Sequence, residues 1–209
     1  KYFSEFLGTA FLFCTVVGSG IMGQNLSSND SLTLLANTLA TVFALYFLIT
    51  VFGDHSSHFN PVVSMVMLVR KEITTQVCTV FIILQISGAI LGVMLANYIF
   101  ELDPVLFSEK PRSGTHLFVS EILATFGLLM VILLSSKEKV AVTVAAYIGA
   151  AYWFTSSTSF ANPAGTIGRS FSNTFAGIST NDILHFCVAQ IIGAFLALIV
   201  YRTFFESQK

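Results

Sequence analysis

The dipeptide Asn-Pro occurs twice, as Asn60-Pro61 in HSSHFNPVVS and as Asn162-Pro163 in TSFANPAGTIGR, each after a long apolar run. Neither residue suits hydrocarbon, because proline breaks a helix interior and an asparagine amide carries four hydrogen-bonding sites. Both suit a helix start, where asparagine is a preferred N-cap and proline fills the first turn without losing a bond. Each pair therefore opens a short apolar helix, over 61–69 and 163–168, that is too short to cross a bilayer. Non-helical backbone at that depth is tolerable only where protein buries it or a water-filled cavity lies beside it. Two such helices meeting end to end aim their positive N-termini at one spot, with two amides beside them. That spot is a lumen in which amide donors orient a polar molecule and helix dipoles oppose cations.

Few other side chains offer chemistry. Glu5 and Glu121 fall close to helix starts and have two readings. One is a favourable charge at the macrodipole; the other is an acceptor for the irregular backbone feeding each short helix. Asp54, His55 and His58 form a polar cluster, but no third ligand with clear spacing follows the two imidazoles, so no metal centre is expected. His116 and His185 lie at the ends of apolar runs, and Cys14, Cys78 and Cys187 lie inside them without a CxxC spacing. These cysteines are expected to pack rather than to pair or bind zinc.

The elements that must position these residues belong to a membrane protein. The 209 residues are 55% hydrophobic and 10% charged, with mean hydropathy +0.80. Soluble domains carry about a quarter charged residues. With a net charge of −1 and no basic patch, nucleic acid is excluded as a partner. Six runs are long enough to span, at about 3–22, 33–53, 76–99, 116–135, 140–157 and 183–204. The first contains Glu5 and leads into no small-residue cleavage site, so no cleavable leader is expected. Lys1, Arg70, Lys71, Lys137, Lys139, Arg202 and Lys209 share one side, against Lys110, Arg112 and Arg169 on the other. This asymmetry predicts a multi-pass protein of the plasma (inner) membrane with both termini cytoplasmic.

The chain also repeats itself. SEFLGTAF (4–11) aligns with SEILATFG (120–127), and QISGAILG (85–92) with QIIGAFLA (190–197), with one Asn-Pro between them in each half. Three spans per unit is an odd number, so the second copy enters the membrane inverted. The expected organisation is one channel domain over 1–209, with a first repeat at 1–100 and a second at 115–209. Gly88-xxx-Gly92 and Gly193-xxx-Ala197 permit close helix crossings at equivalent places.

The doubled Asn-Pro, the HFNP and NPA contexts, the paired glutamates and the Q-x-x-G-A helices together resemble the aquaporin (major intrinsic protein) family over essentially the whole chain. The resemblance implies an all-α membrane protein of six tilted helices plus two re-entrant half-helices in two inverted repeats. It further implies a homotetramer in the lipid bilayer, with one passive pore per subunit for water or small neutral solutes, and no cofactor and no enzymatic activity. Asn60, Pro61, Val62, Asn162, Pro163 and Ala164 would form the pore centre, with Glu5, Glu121 and His58 supporting the loops. Val62 stands where the family usually has alanine.

By the family's spacing the filter positions fall on Ala40, Ala150, Ser159 and Gly165, where relatives carry rings and an arginine directly after Asn-Pro-Ala. Four small residues predict a wide filter, suited to glycerol-like polyols or undissociated arsenous acid. The alternative is that Arg169, one helical turn beyond Gly165, restores the charge, with Phe160 or Trp153 refilling the space, which gives a water-selective pore. From other classes, a proton-coupled transporter would require an ionisable group inside a span. None remains once Glu5 and Glu121 are placed at helix ends. An intramembrane hydrolase has only Ser56, Ser57 and His58 to draw on, without a supporting nucleophile arrangement.

Overall fold

In a computed structural model, which describes residues 1–206, every regular element is helical. Long helices are α1 (Tyr2–Leu26), α2 (Asp30–Phe52), α4 (Thr75–Ile99), α5 (Thr115–Leu134) and α8 (Ile183–Phe204). The shorter ones are α3 (Pro61–Val69), α6 (Val140–Phe154) and α7 (Pro163–Arg169), with a single 3₁₀ turn at Thr180–Asp182. Lys209, counted above among the basic residues of one side, lies outside the described residues.

Local chemistry sets most of the starts. Asn29 Oδ1 accepts from the backbone N–H of Ser31 at 2.9 Å and of Leu32 at 3.3 Å, opening α2. Thr74 does the same for Val77 at the head of α4. Five helices are long and apolar enough to cross a membrane, whereas α6 has only 15 residues. That is about 22 Å of helix, so the expected run of 140–157 is corrected at its end. The helix stops at Thr155, whose extended backbone turns the chain back into the segment that feeds α7.

α1 packs on α2 and α4, α5 on α6 and α8, and α2 on α6, while α3 and α7 fill the middle. The large side chains Phe43, Ile83, Tyr98 and Ile199 point outward, as lipid-facing surface does. Small residues make the close crossings. A Cβ on Gly88 or Gly92 would run into the carbonyls of Phe6 and Ala10 in α1, and one on Gly193 into that of Ile122 in α5. Equivalent positions in the two halves thus serve equivalent crossings, and Asn37 ties α2 to the Val16 carbonyl of α1 at 2.7 Å.

Candidate functional site: a pore at the meeting of two half-helices

The first turns of α3 and α7 face each other. Asn60 Oδ1 accepts from Val62 N at 3.1 Å, and Asn162 Oδ1 accepts from Ala164 N at 3.0 Å and Gly165 N at 3.2 Å. Both asparagines are therefore true N-caps. Their amide nitrogens cross over: Asn60 Nδ2 donates to the Ala161 carbonyl at 2.7 Å, and Asn162 Nδ2 to the Phe59 carbonyl at 2.8 Å. The accepting residues precede the asparagines and have left-handed backbone, with φ of 49° at Phe59 and 48° at Ala161. An amide nitrogen has two hydrogens, so each asparagine retains one after the cross-link. Both asparagines line the cavity, which makes that second N–H the donor available to its contents.

Two carboxylates hold the irregular backbone. Glu5 Oε1 accepts from His58 N at 2.8 Å and Ser56 Oγ at 2.5 Å, and its Oε2 from Phe59 N at 2.8 Å and Gln85 Nε2 at 2.7 Å. Glu121 accepts from Phe160 N and Ala161 N at 2.9 Å each and from Gln190 Nε2 at 2.7 Å. The two glutamines reach onward to Ser64 and Thr166, both at 2.9 Å. Of the two readings of these glutamates, the geometry favours the backbone acceptor. Glu121 lies in the second turn of a helix that begins at Thr115, too far in to serve the macrodipole. His58 binds Ser64 Oγ through Nδ1 at 3.0 Å and stands edge-on to Phe81. Among the described residues no group of three His, Cys, Asp or Glu side chains converges as a metal site.

A cavity of about 710 Å³ runs from Gly53, His55 and Lys137 at one mouth, past the two asparagines, to Tyr152, Phe160 and Arg169. Its wall corrects several expectations. Val62 and Ala164 are buried where the half-helix ends meet, so no correction falls on them, and Val63 is the valine that faces the cavity. Gly165 does not face the lumen: a Cβ there would enter the ring of Phe13, so the glycine admits α1 against α7. Ala150 is exposed on the outer face of α6, Ala40 is half-buried, and neither lines the cavity. Thr41 and Tyr152 do, joined through their hydroxyls at 3.2 Å. Two residues along a helix is about 200° of rotation, so a count that arrives at 150 instead of 152 selects the wrong face.

Ser159 and Arg169 do line the cavity. Arg169 ends α7, donates through Nε to the Ala176 carbonyl, and places its guanidinium carbon 3.4 Å from the centroid of the Phe160 ring. Phe160 is braced edge-on by Phe186, while Trp153 faces outward. The Ser159 hydroxyl is buried without a protein partner. Fixed charge and an aromatic ring thus share one end of the cavity.

Lys110 and Arg112, from the segment between α4 and α5, stand behind Arg169. Lys110 Nζ, Arg169 Nε and Arg112 Nε bind the carbonyls of Phe175, Ala176 and Gly177 in turn. Burial, reinforced by repulsion from Arg112 and Arg169, lowers the Lys110 ammonium to about 8. A lowered folded-state value means that the charged form opposes folding. Stability should therefore rise with pH between about 8 and the ordinary 10.5, where the unfolded chain alone holds the proton. Thermal unfolding in mild detergent across that window measures the slope. Lys110→Gln should flatten it, and an equal slope in the variant would assign it to other groups.

An apolar bundle with two capped half-helices meeting at a cavity is the architecture of a membrane channel. The chain matches the family described as major intrinsic protein over residues 1–201 and belongs to it. It is an integral, multi-pass membrane channel and not an enzyme. It is 46% identical to "Aquaglyceroporin AqpS" of Rhizobium meliloti over 203 residues, covering 95% of this chain and 87% of that one. It is 32% identical to "Glycerol uptake facilitator protein-like 6" of Lactiplantibacillus plantarum, covering 97% and 96% of the two chains. The X-ray structure of the aquaglyceroporin from Plasmodium falciparum shares the fold, with a TM-score of 0.74, 18% identity and coverage of 100% and 97%.

Proposed function

We propose that the chain conducts water and neutral solutes of glycerol size, selected where Arg169, Phe160, Tyr152, Thr41 and Ser159 surround the cavity. The observation that carries the reading is the Arg169 guanidinium lying on the Phe160 ring in the wall of a cavity that Thr41 and Tyr152 also line. A polyol is two-faced: its carbon edge packs on an apolar wall while its hydroxyls bond to a guanidinium and to hydroxyls such as those of Thr41 and Tyr152. Asn60 and Asn162 then hand the solute through the centre, each using its remaining N–H, between helix ends that oppose cations and hydronium. Glu5 and Glu121 are occupied by backbone and glutamine donors, so neither is free to carry a proton for coupled transport. The names of the two curated relatives support a glycerol-type solute. Undissociated arsenous acid, compact, neutral and bearing three hydroxyls, offers the same donor pattern.

The same reading extends to assembly and placement. Two inverted units, 1–100 and 115–209, make one pore. Four protomers pack through their apolar outer faces in the plasma (inner) membrane, with both termini cytoplasmic. Stopped-flow measurements on liposomes, comparing water, glycerol and arsenous acid at neutral pH without a proton gradient, test the reading. Glycerol should equilibrate far faster than across empty liposomes. Water flux alone would instead make the Arg169–Phe160 pair a water-selective constriction.

A further inference from the structure

Arg112 lies in the segment between α4 and α5, outside the cavity wall, yet it touches both sides of the constriction. Its backbone N–H donates to Asp182 Oδ2 at 2.7 Å, which anchors the residue. Its side chain donates to Gly177 O at 2.8 Å, Phe175 O at 3.4 Å and Ser157 O at 3.5 Å. The guanidinium carbon also sits 4.8 Å from the Phe160 ring centroid. Ser157 and Phe160 precede α7, whereas Phe175 and Gly177 follow it. Arg169 bridges the same two stretches, from the Phe160 ring to Ala176 O between the two carbonyls that Arg112 holds. A planar guanidinium fork with several donors fixes the spacing of what it binds better than a flexible ammonium does.

We propose that Arg112 is a positioning residue that sets the opening between Phe160 and Arg169, and with it the discrimination between water and glycerol-sized solutes. This rests on the reading of the constriction given above. Holding the segment in place is already accomplished elsewhere. Leu106 N and Ser108 N donate to Phe171 O and Ser170 O, Ser179 N to Lys110 O, and the Asn97 amide to Phe171 O. Loss of the Arg112 fork therefore leaves the segment attached. What it frees is the Ser157 carbonyl and one flank of the Phe160 ring on one side and the Gly177 carbonyl on the other, the stretches between which Arg169 rests.

Purified full-length protein is reconstituted as wild type, R112Q, R112K, R169A, F160L and the R112Q/F160L pair, and water and glycerol permeabilities are read by stopped flow. R112Q should change the glycerol-to-water ratio about fivefold, somewhat less than the roughly tenfold or more that a methylene's difference in direct fit discriminates. R112K, which keeps the charge without the fork, should give a smaller shift, still about twofold. R112Q should add less to F160L than it does to wild type, because part of the effect passes through that ring. A residue that merely holds the fold would lower both permeabilities in proportion and leave the ratio untouched, which overturns the proposal. Should R112Q fail to fold, a wild-type ratio in R112K overturns it instead. If R169A shifts the ratio while neither Arg112 variant does, only the role of Arg112 is wrong. If R169A leaves the ratio unchanged, the constriction itself has been misplaced.

Discussion

Glu121→Gln should abolish the folded channel, or leave a fraction that unfolds at much lower temperature. Glu121 is fully buried, and its two oxygens accept from Phe160 N, Ala161 N and Gln190 Nε2. No lysine or arginine forms an ion pair with it among the described residues, so these donors are its neutralising environment. Glutamine keeps the volume but turns one acceptor into an NH₂ that must face donors. At least one charge-assisted bond is lost and one backbone N–H is stranded in a buried place, a cost on the order of 3 kcal/mol. Against a total stability of about 5–15 kcal/mol that is a large fraction. Thermal unfolding in detergent, with the exposed Glu101→Gln as control, measures it. A Glu121→Gln protein that unfolds and conducts like wild type would refute the acceptor role.

Arg169→Ala should produce the largest change in selectivity. The side chain supplies a fixed positive charge at the cavity wall and a flat surface against Phe160. Its loss widens the passage and lowers the barrier to cations together. Glycerol permeability relative to water should rise about tenfold, equivalent to about 1.4 kcal/mol of differential barrier. A proton or sodium leak should appear where wild type shows none. The bond from Arg169 Nε to Ala176 O is lost as well, but Lys110 and Arg112 still hold the neighbouring carbonyls, so the variant should fold. A tight, glycerol-excluding variant would place the selecting contacts elsewhere in the cavity.

How far the amino-acid sequence leads differs from residue to residue, and the differences have a physical cause. Asn60-Pro61 and Asn162-Pro163 announce two half-helices because capping is local: the amide oxygen reaches only two or three residues ahead, whatever surrounds it. The spans are legible because hydrocarbon leaves the backbone no partner but itself. The doubled Ser-Glu motif marked Glu5 and Glu121 as a pair, but their residues left macrodipole and backbone-acceptor readings open, and the donors that decide between them come from distant stretches. The cross-links from Asn60 to Ala161 and from Asn162 to Phe59 join residues about a hundred apart and have no local signature.

Of the cavity wall near Arg169, Ser159 and Arg169 were candidates from the sequence, whereas Thr41 and Tyr152 emerged only from tertiary structure. A helix rotates about 100° per residue, so an error of one or two positions in a counted spacing exchanges a wall residue for an outer one. That is how Ala40 and Ala150 stood in for Thr41 and Tyr152. Gly165 read as a missing side chain in the lumen, whereas its missing Cβ is the space that the Phe13 ring occupies. Arg169 was visible as a candidate, but its route to the cavity depends on a ring in one stretch and a carbonyl in another. Arg112 carried no signal at all, since an arginine in a long polar connection has no periodicity to place it. Capping, hydrophobic length and backbone satisfaction act over a few residues and can be read along the chain. The cavity wall near Arg169 combines side chains from α2, α6, α7 and the stretch before it, whose relative rotation exists only once the bundle has packed.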